Sequence, residues 1–226
     1  MTVERRYTRG DVELRAQNGK PKQMAGYAAK FDTLSQNLGG FVERIAPGAF
    51  SKTLAEADVK ALFNHDANLL LGRSKSGTLR MEEDETGLRY EVDLPDTTLG
   101  RDLAVLLARG DVSQSSFAFR VVRDDWGTDD QDRPVRTLVE VKLYDVSPVT
   151  YPAYLDTEAS MRAALPSLAE ARSLPLDDLI EAARSNDLAR ALRLVEHPVL
   201  PEAAPVRTTP PLGLLAKQAE HARRRA

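Results

Sequence analysis

The groups of this chain best suited to nucleophilic chemistry lie in the run Asp111–Phe119 (DVSQSSFAF). Its side chains alternate as in a β-strand, which would hold a hydroxyl rigidly at a sheet surface. By this alternation Ser115 shares a face with Phe117 and Phe119, whereas Ser116 lies on the opposite face. If the phenylalanines mark the core, Ser116 opens toward a polar cleft and Ser115 is buried beside aromatic rings.

A serine is a weak nucleophile unless a general base lies within hydrogen-bond reach and a third group orients that base. The sequence contains 3 histidines, at positions 65, 197 and 221. Only His65 falls in the strand-rich part of the chain, at the end of the strand-like ALFNHD. A histidine at a strand end equally fits a surface or core position, so the spacing alone leaves its role open.

A candidate for the third group lies on the next long alternating run, VRTLVEVKLYDV. Glu140 on this run could orient a histidine, or it could pair with Lys142 on a solvated face. Asp145 falls on the other face of the same run by alternation. The residues themselves do not decide between these readings.

Composition excludes several other kinds of chemistry. The 226 residues include no cysteine, which removes thiol catalysis, disulfides and thiolate zinc sites. A formal net charge of −3 gives no general reason to expect a nucleic-acid partner. The charged N-terminus lacks an apolar signal region, and no later run is long enough for a membrane span. We therefore expect a protein that is cytoplasmic, or that acts inside an assembly built in the cytoplasm, without membrane or nucleic-acid partners.

The elements around the candidate residues are mostly extended. Short alternating runs precede a clear helix at Leu99–Arg109, for which Thr97 or Thr98 is the N-cap and Gly110 the left-handed stop. A β-barrel or sandwich with a few helices accounts for this pattern. Composition changes near residue 156, and we expect a folded domain over residues 1–159 and a helical, partly disordered tail over 160–226.

Several segments, in this order, resemble one protein family. They are GGFVERIAPGAF, LFNHDANLLLGRSKSGTLRMEEDETGLRYEVDLPDT, RGDVSQSSFAF with the helix before it, and LYDVSPVTYPAYLDT. Together they resemble the prohead, or capsid-maturation, serine proteases of tailed bacteriophages, which are distant relatives of the herpesvirus assemblins. The resemblance covers about residues 26–157.

This resemblance implies a serine endopeptidase with His65 as general base, Ser116 as nucleophile and, as third member, Glu140, with Asp145 as the second choice. The family pattern has a glycine and a methionine before the nucleophile, where this chain has Gln114 and Ser115. The implied fold is of the α+β class, mainly β: a closed, mostly antiparallel barrel surrounded by a few helices. No metal or organic cofactor is needed.

The resemblance also implies substrates and a place of action. These are the scaffold protein or the scaffolding segment of the major capsid protein, and the protease itself, cut inside the immature capsid in the host cytoplasm. Residues 160–226 would then serve for packaging or self-cleavage. Self-association is left open, as are a non-cleaving assembly protein of the same fold and a serine–lysine hydrolase that uses Lys60 or Lys142.

Overall fold

The structure is a computed structural model and describes residues 3–8, 12–17, 20–151 and 157–196. The strands, in chain order, are β1 (Glu4–Thr8), β2 (Glu13–Gln17), β3 (Lys20–Lys30), β4 (Val42–Ile45), β5 (Lys60–Phe63), β6 (Asp66–Arg73), β7 (Leu79–Glu83), β8 (Gly87–Asp93), β9 (Gln114–Thr128) and β10 (Pro134–Val149). The helices are α1 (Ser51–Glu56), α2 (Thr98–Arg109), α3 (Thr157–Arg172), α4 (Leu176–Arg184) and α5 (Leu188–Glu196).

The strands form two sheets rather than the closed barrel that the resemblance implied. Within the described residues, one sheet has the order β1-β9-β10-β5-β6, with β4 also paired to β10, and the other has the order β2-β3-β8-β7. No backbone pairing joins β1 to β2 or β6 to β7 in these residues. β6 and β7 are connected through a 3-10 turn at Ser74–Ser76.

A shared apolar core lies between the two sheets. Tyr90 and Val92 of one sheet and Phe117, Phe119 and Leu143 of the other belong to the same buried cluster. The predicted α+β class, mainly β and mostly antiparallel, agrees with this arrangement, and the parallel pairs described are β10 with β4 and β10 with β5.

The helix before the serine run forms as its sequence predicts. Thr97 caps α2 by accepting a hydrogen bond from the backbone N–H of Gly100. At the other end Gly110 has φ of 80° and returns its N–H to Leu106 and Leu107. Glycine adopts this left-handed conformation without the clash that a Cβ introduces, so α2 ends at this residue and the chain turns into β9.

The long pair β9 and β10 is the centre of the larger sheet. Its antiparallel register runs from Gln114 opposite Val149 to Thr128 opposite Pro134. β1 pairs with the free edge of β9, so that Tyr7 lies opposite Ser116. β5 pairs in parallel with the end of β10, at Asp145 and Val146. The serine run and the strand before His65 are thus brought to the same end of one sheet.

The described part of the predicted tail is folded. A second apolar cluster joins the helices after residue 157 to Leu38 and Phe41, with Trp126 of β9 packed against it. The other buried members are Met161, Ala164, Leu165, Leu168, Leu179, Ala183, Leu188 and Leu192. The predicted boundary at residue 159 therefore falls inside α3. The rest of the predicted tail, from residue 197 and including His197 and His221, lies outside the described residues.

Candidate active site

A tight turn directs His65 across the end of β10. Asn64 and His65, between β5 and β6, have φ of 55° and 59°, a left-handed conformation that Asn and His adopt more readily than most residues. The Asn64 side chain fixes this turn: its Oδ1 accepts from the backbone N–H of Thr150 at 2.9 Å, and its Nδ2 donates to Thr150 Oγ1 at 3.0 Å.

The imidazole of His65 joins a hydroxyl to a carboxylate. Its Nε2 lies 2.7 Å from Ser116 Oγ, and its Nδ1 lies 2.6 Å from Asp145 Oδ1. An ionised carboxylate can only accept a hydrogen bond, so Nδ1 carries the proton and donates a hydrogen bond to Asp145. In the neutral imidazole this leaves Nε2 as the acceptor facing the serine. The arrangement is that of a nucleophile, a general base and an orienting acid.

The family resemblance implied Glu140 as the partner of His65, but the structure does not place these two side chains together. The Glu140 carboxylate instead contacts Lys52 Nζ at 3.1 Å near the surface. Asp145, the second choice, occupies the position beside the imidazole and is 8% exposed.

A β-bulge explains why Asp145 lies beside His65. The register of β10 against β9 shifts between Leu143 and Asp145, which leaves Tyr144 as an extra residue. Before the bulge Leu143 faces the core, and after it Val146 does. Strict alternation would place Asp145 on the face of Leu143. The extra residue moves it to the opposite face, where it meets His65.

Ser147 is a further member of the site that sequence reasoning missed. It lies opposite Ser116 in the register of β10 and β9 and is buried. Its hydroxyl donates to Asp145 Oδ1 at 2.8 Å, so the same carboxylate oxygen accepts from Ser147 and from His65. Two donors restrict the carboxylate to one orientation. The available signal was the i, i+2 spacing of Asp145 and Ser147, which places both on one face of a strand.

The two adjacent serines have separate surroundings, as the alternation predicts. Ser115 Oγ donates to Tyr90 Oη at 3.0 Å in the core, on the opposite side of β9 from His65. Burial raises the pKa of Tyr90 to about 12, an effect that the hydrogen bond from Ser115 partly offsets. The sequence predicted that Ser116 opens toward a polar cleft. In the structure Ser116 is instead 0% exposed.

The lysines of the serine–lysine alternative are engaged elsewhere. Lys60 Nζ contacts Asp58, and the Lys142 ammonium lies 5.9 Å from the centre of the Tyr144 ring. Across residues 3–8, 12–17, 20–151 and 157–196, no group of three or more His, Asp and Glu side chains is arranged to hold a metal ion.

A buried network of charges lies at the other end of the β9–β10 pair. The Arg136 side chain, 1% exposed, contacts carboxylates at 2.6 to 3.1 Å. Arg6 of β1 contacts two of the same carboxylates at 2.7 and 2.9 Å. The acidic members are Glu4, Glu43 and Asp124. This network fixes β1 and β4 beside the hairpin that carries the serine.

Comparison with known proteins identifies the family. The model of the caudovirus prohead serine proteases matches residues 10–170, which is most of the chain. The chain belongs to this family. Among solved structures, this prohead protease is similar to the capsid assembly protease gp21 of bacteriophage T4, with a TM-score of 0.41 and 12% identity. That alignment covers 66% of this chain and 98% of the other. Curated protein sequences give no match.

The family assignment agrees with the resemblance seen in the sequence, and the match extends it to residue 170, inside α3. In the described part of this prohead protease, no helix is long and apolar enough to cross a membrane.

Proposed function

We propose that this prohead protease is a serine endopeptidase in which Ser116 is the nucleophile, His65 the general base and Asp145 the orienting acid. The observation that carries the proposal is the continuous set of contacts Ser116 Oγ to His65 Nε2 at 2.7 Å and His65 Nδ1 to Asp145 Oδ1 at 2.6 Å. Membership of the prohead serine protease family supports the same assignment.

The reaction follows from these contacts as acyl transfer. Ser116 Oγ attacks the carbonyl carbon of the scissile peptide while its proton passes to His65 Nε2. The imidazolium formed is stabilised by the Asp145 carboxylate and gives the proton to the leaving amine as the C–N bond breaks. Water, activated by the same imidazole, then hydrolyses the ester and returns Ser116 to its starting state. All the proton transfers pass through Nε2.

The proposed substrates are the scaffold protein or the scaffolding segment of the major capsid protein, cut inside the immature capsid in the host cytoplasm. Family membership supports this substrate class. We also propose that the protease cleaves itself within the segment that follows residue 196. In chain order this segment follows α5, so such a cut would leave β1 to β10 and α1 to α5 in one piece.

The test is a time course of intact mass for the purified protease incubated with its capsid protein. The wild type and Ser115→Ala are expected to produce fragments, whereas Ser116→Ala leaves both proteins whole. Ser115→Ala is the matched control, since it removes the neighbouring hydroxyl from the other face of β9. Circular dichroism checks that each variant is folded. Equal cleavage by Ser116→Ala and wild type would refute the nucleophile assignment.

A further inference from the structure

The nucleophile is already in contact with a peptide carbonyl of its own chain. Ser116 Oγ donates to the carbonyl oxygen of Arg6 at 2.9 Å, and Ser116 is 0% exposed. Arg6 belongs to β1, whose residues pair with β9 from Glu4 opposite Phe119 to Thr8 opposite Ser115. The strand that carries the nucleophile is therefore covered by an extended segment from the N-terminal end.

The carbonyl of Arg6 competes with the base for one proton. The Ser116 hydroxyl has a single proton and two acceptors within reach, Arg6 O at 2.9 Å and His65 Nε2 at 2.7 Å. Attack on a substrate requires the proton to point at Nε2. A proton that points at Arg6 is not available to Nε2, so a hydroxyl held by this contact is not activated for attack. Displacement of β1 would leave Nε2 as the remaining one of these two acceptors.

β1 also occupies the edge that an extended substrate could use. An extended peptide can bind by adding a strand to an exposed sheet edge. Among the described strands, β1 ends its sheet and covers the edge of β9 at Ser115 and Ser116. A cavity of about 380 Å³ lies along β1, and its lining includes Tyr7, Lys30 and Leu34. β1 therefore borders an open groove on one side.

The charges that hold β1 in place can be withdrawn without changing the net charge of the network. β1 contributes one carboxylate, Glu4, and one guanidinium, Arg6, to the buried network around Arg136. When β1 leaves, Arg136 keeps its contacts to Glu43 and Asp124. The family match begins at residue 10, after the end of β1.

We propose that β1 is an internal inhibitor, which keeps Ser116 latent by occupying the place of a substrate strand, and that β1 must be displaced before the protease can cleave. The partner that replaces it is an extended segment of a protein substrate. This inference rests on the proposed function, because it assumes that Ser116 is the nucleophile.

The first experiment locks β1 in place reversibly. The sequence has no cysteine, so Arg5→Cys with Ala118→Cys introduces a single pair at directly opposed positions. Opposed residues of antiparallel strands have Cα atoms about 4.5–5.5 Å apart, which suits a disulfide. Arg15→Cys with Gln23→Cys is the matched control, since it joins the edge strand β2 to β3 in the other sheet.

The readout is the rate at which a fluorophosphonate probe, which reacts with activated serines, labels each protein in the presence of the capsid protein. We expect the oxidised β1 lock to label at least tenfold more slowly than its reduced form, and the β2 control to label equally in both states. Equal labelling of the oxidised and reduced β1 lock would overturn the proposal. Mass spectrometry confirms that each disulfide has formed.

The second experiment loosens β1 in the full chain. Glu4→Gln with Arg6→Met removes the ion pairs of β1 while approximately keeping side-chain volume and network charge. We expect at least tenfold faster labelling than wild type without capsid protein. Asp96→Asn with Arg101→Met, at an exposed ion pair, is the control and leaves the rate unchanged.

Failure of the inference and failure of the proposed function give different results. Adding Ser116→Ala to the loosened protein abolishes labelling if Ser116 is the nucleophile. Persistent labelling in that protein refutes the proposed function. Labelling that depends on Ser116 but is equally fast in wild type and the loosened protein overturns latency alone, because the nucleophile then stands and β1 does not restrain it.

Discussion

The two ends of the β9–β10 pair both bury polar groups, but they do so in different ways. At one end a hydroxyl, an imidazole and a carboxylate lie in a row: Ser116, His65 and Asp145. At the other end the guanidinium of Arg136 is surrounded by carboxylates of three different segments. The first set contains groups that can exchange a proton, whereas the second set holds a fixed charge.

The electrostatics of Arg136 illustrate the second case. Burial by itself lowers the pKa of the guanidinium, but the attraction of Glu4, Glu43 and Asp124 outweighs burial, so the pKa is raised above its ordinary value. Arg136 is therefore charged at neutral pH and well above it. A group that never changes its protonation state contributes to structure and not to proton transfer.

Substitutions at the two ends should therefore have different effects, one on the reaction rate and the other on stability. Changes at the Ser116 end should reduce the reaction rate with little loss of stability, because the groups are few and neutral isosteres fit there. Changes at the Arg136 end should reduce stability, because each leaves a buried charge without its partner. Variants at the two ends test this separation directly.

The largest effect is expected for Asp145→Asn. The amide keeps the shape of the side chain but removes the charge that stabilises the imidazolium, and the comparable change in serine proteases lowers kcat about 10⁴-fold. Steady-state cleavage of a capsid-protein peptide measures this. Urea unfolding of the same variant should show a change below about 1.5 kcal/mol, as for the loss of one hydrogen-bond partner.

Glu140→Gln is the matched control for that prediction. Glu140 is on the same strand but contacts only the exposed Lys52 among the ion pairs described here, and such surface pairs contribute about 0–1 kcal/mol. We expect a kcat within about twofold of wild type. A larger loss in Glu140→Gln than in Asp145→Asn would assign the third position to Glu140.

Asp145 and Glu140 also show which side-chain positions could not be predicted from the sequence. The alternation of β9 predicted the faces of Ser115 and Ser116, because that strand follows the two-residue period without interruption there. The alternation of β10 did not predict the face of Asp145, because the register of β10 against β9 shifts at three places and the extra residue Tyr144 moves Asp145 to the opposite face. A bulge has no reliable sequence signal, so the faces beyond it cannot be read from spacing alone.

Long-range contacts were the other limit. The cap at Thr97 and the stop at Gly110 are local, and both were predicted from neighbouring residues. The Arg6 carbonyl reaches Ser116 across 110 positions of sequence, and Arg136 meets Glu4 across 132. Single-sequence patterns carry no information about such pairings. Closure of the barrel was not predictable for the same reason, since it depends on pairing of β1 with β2 and of β6 with β7.

The next largest effect concerns stability, in Arg136→Met. The methionine fills the volume of the side-chain stem but leaves Glu4, Glu43 and Asp124 around an uncharged group. Removing one partner of a buried ion pair costs about 3–5 kcal/mol. Urea unfolding should show this loss, whereas Arg101→Met, at an exposed pair with Asp96, should change stability by at most about 1 kcal/mol. Equal losses in both variants would contradict a structural role for the network.

A smaller effect is expected at alkaline pH, from Tyr90. Burial raises its pKa from 10.0 to about 12 in the folded protein, so the unfolded chain loses this proton first as the pH rises. The contribution to stability is complete below pH 10 and is lost as the pH rises through 12. Since a pKa difference of one between the folded and unfolded states corresponds to about 1.4 kcal/mol, the loss amounts to about 2–3 kcal/mol. Tyr90→Phe should remove this part of the pH dependence of unfolding between those two values.

The smallest effect is expected for Ser147→Ala. This variant tests whether the orientation of the Asp145 carboxylate, apart from its charge, affects kcat. The variant keeps the carboxylate and its contact to His65 but removes the second donor to Oδ1. A carboxylate held by one donor samples more orientations, and we expect kcat to fall about tenfold, or ~1.4 kcal/mol, with KM unchanged. Ser113→Ala, at an exposed position before Ser116, is the control and should leave both constants unchanged. A rise in KM with kcat intact would instead place Ser147 in substrate binding, because a group that only positions the base acts after the substrate is bound.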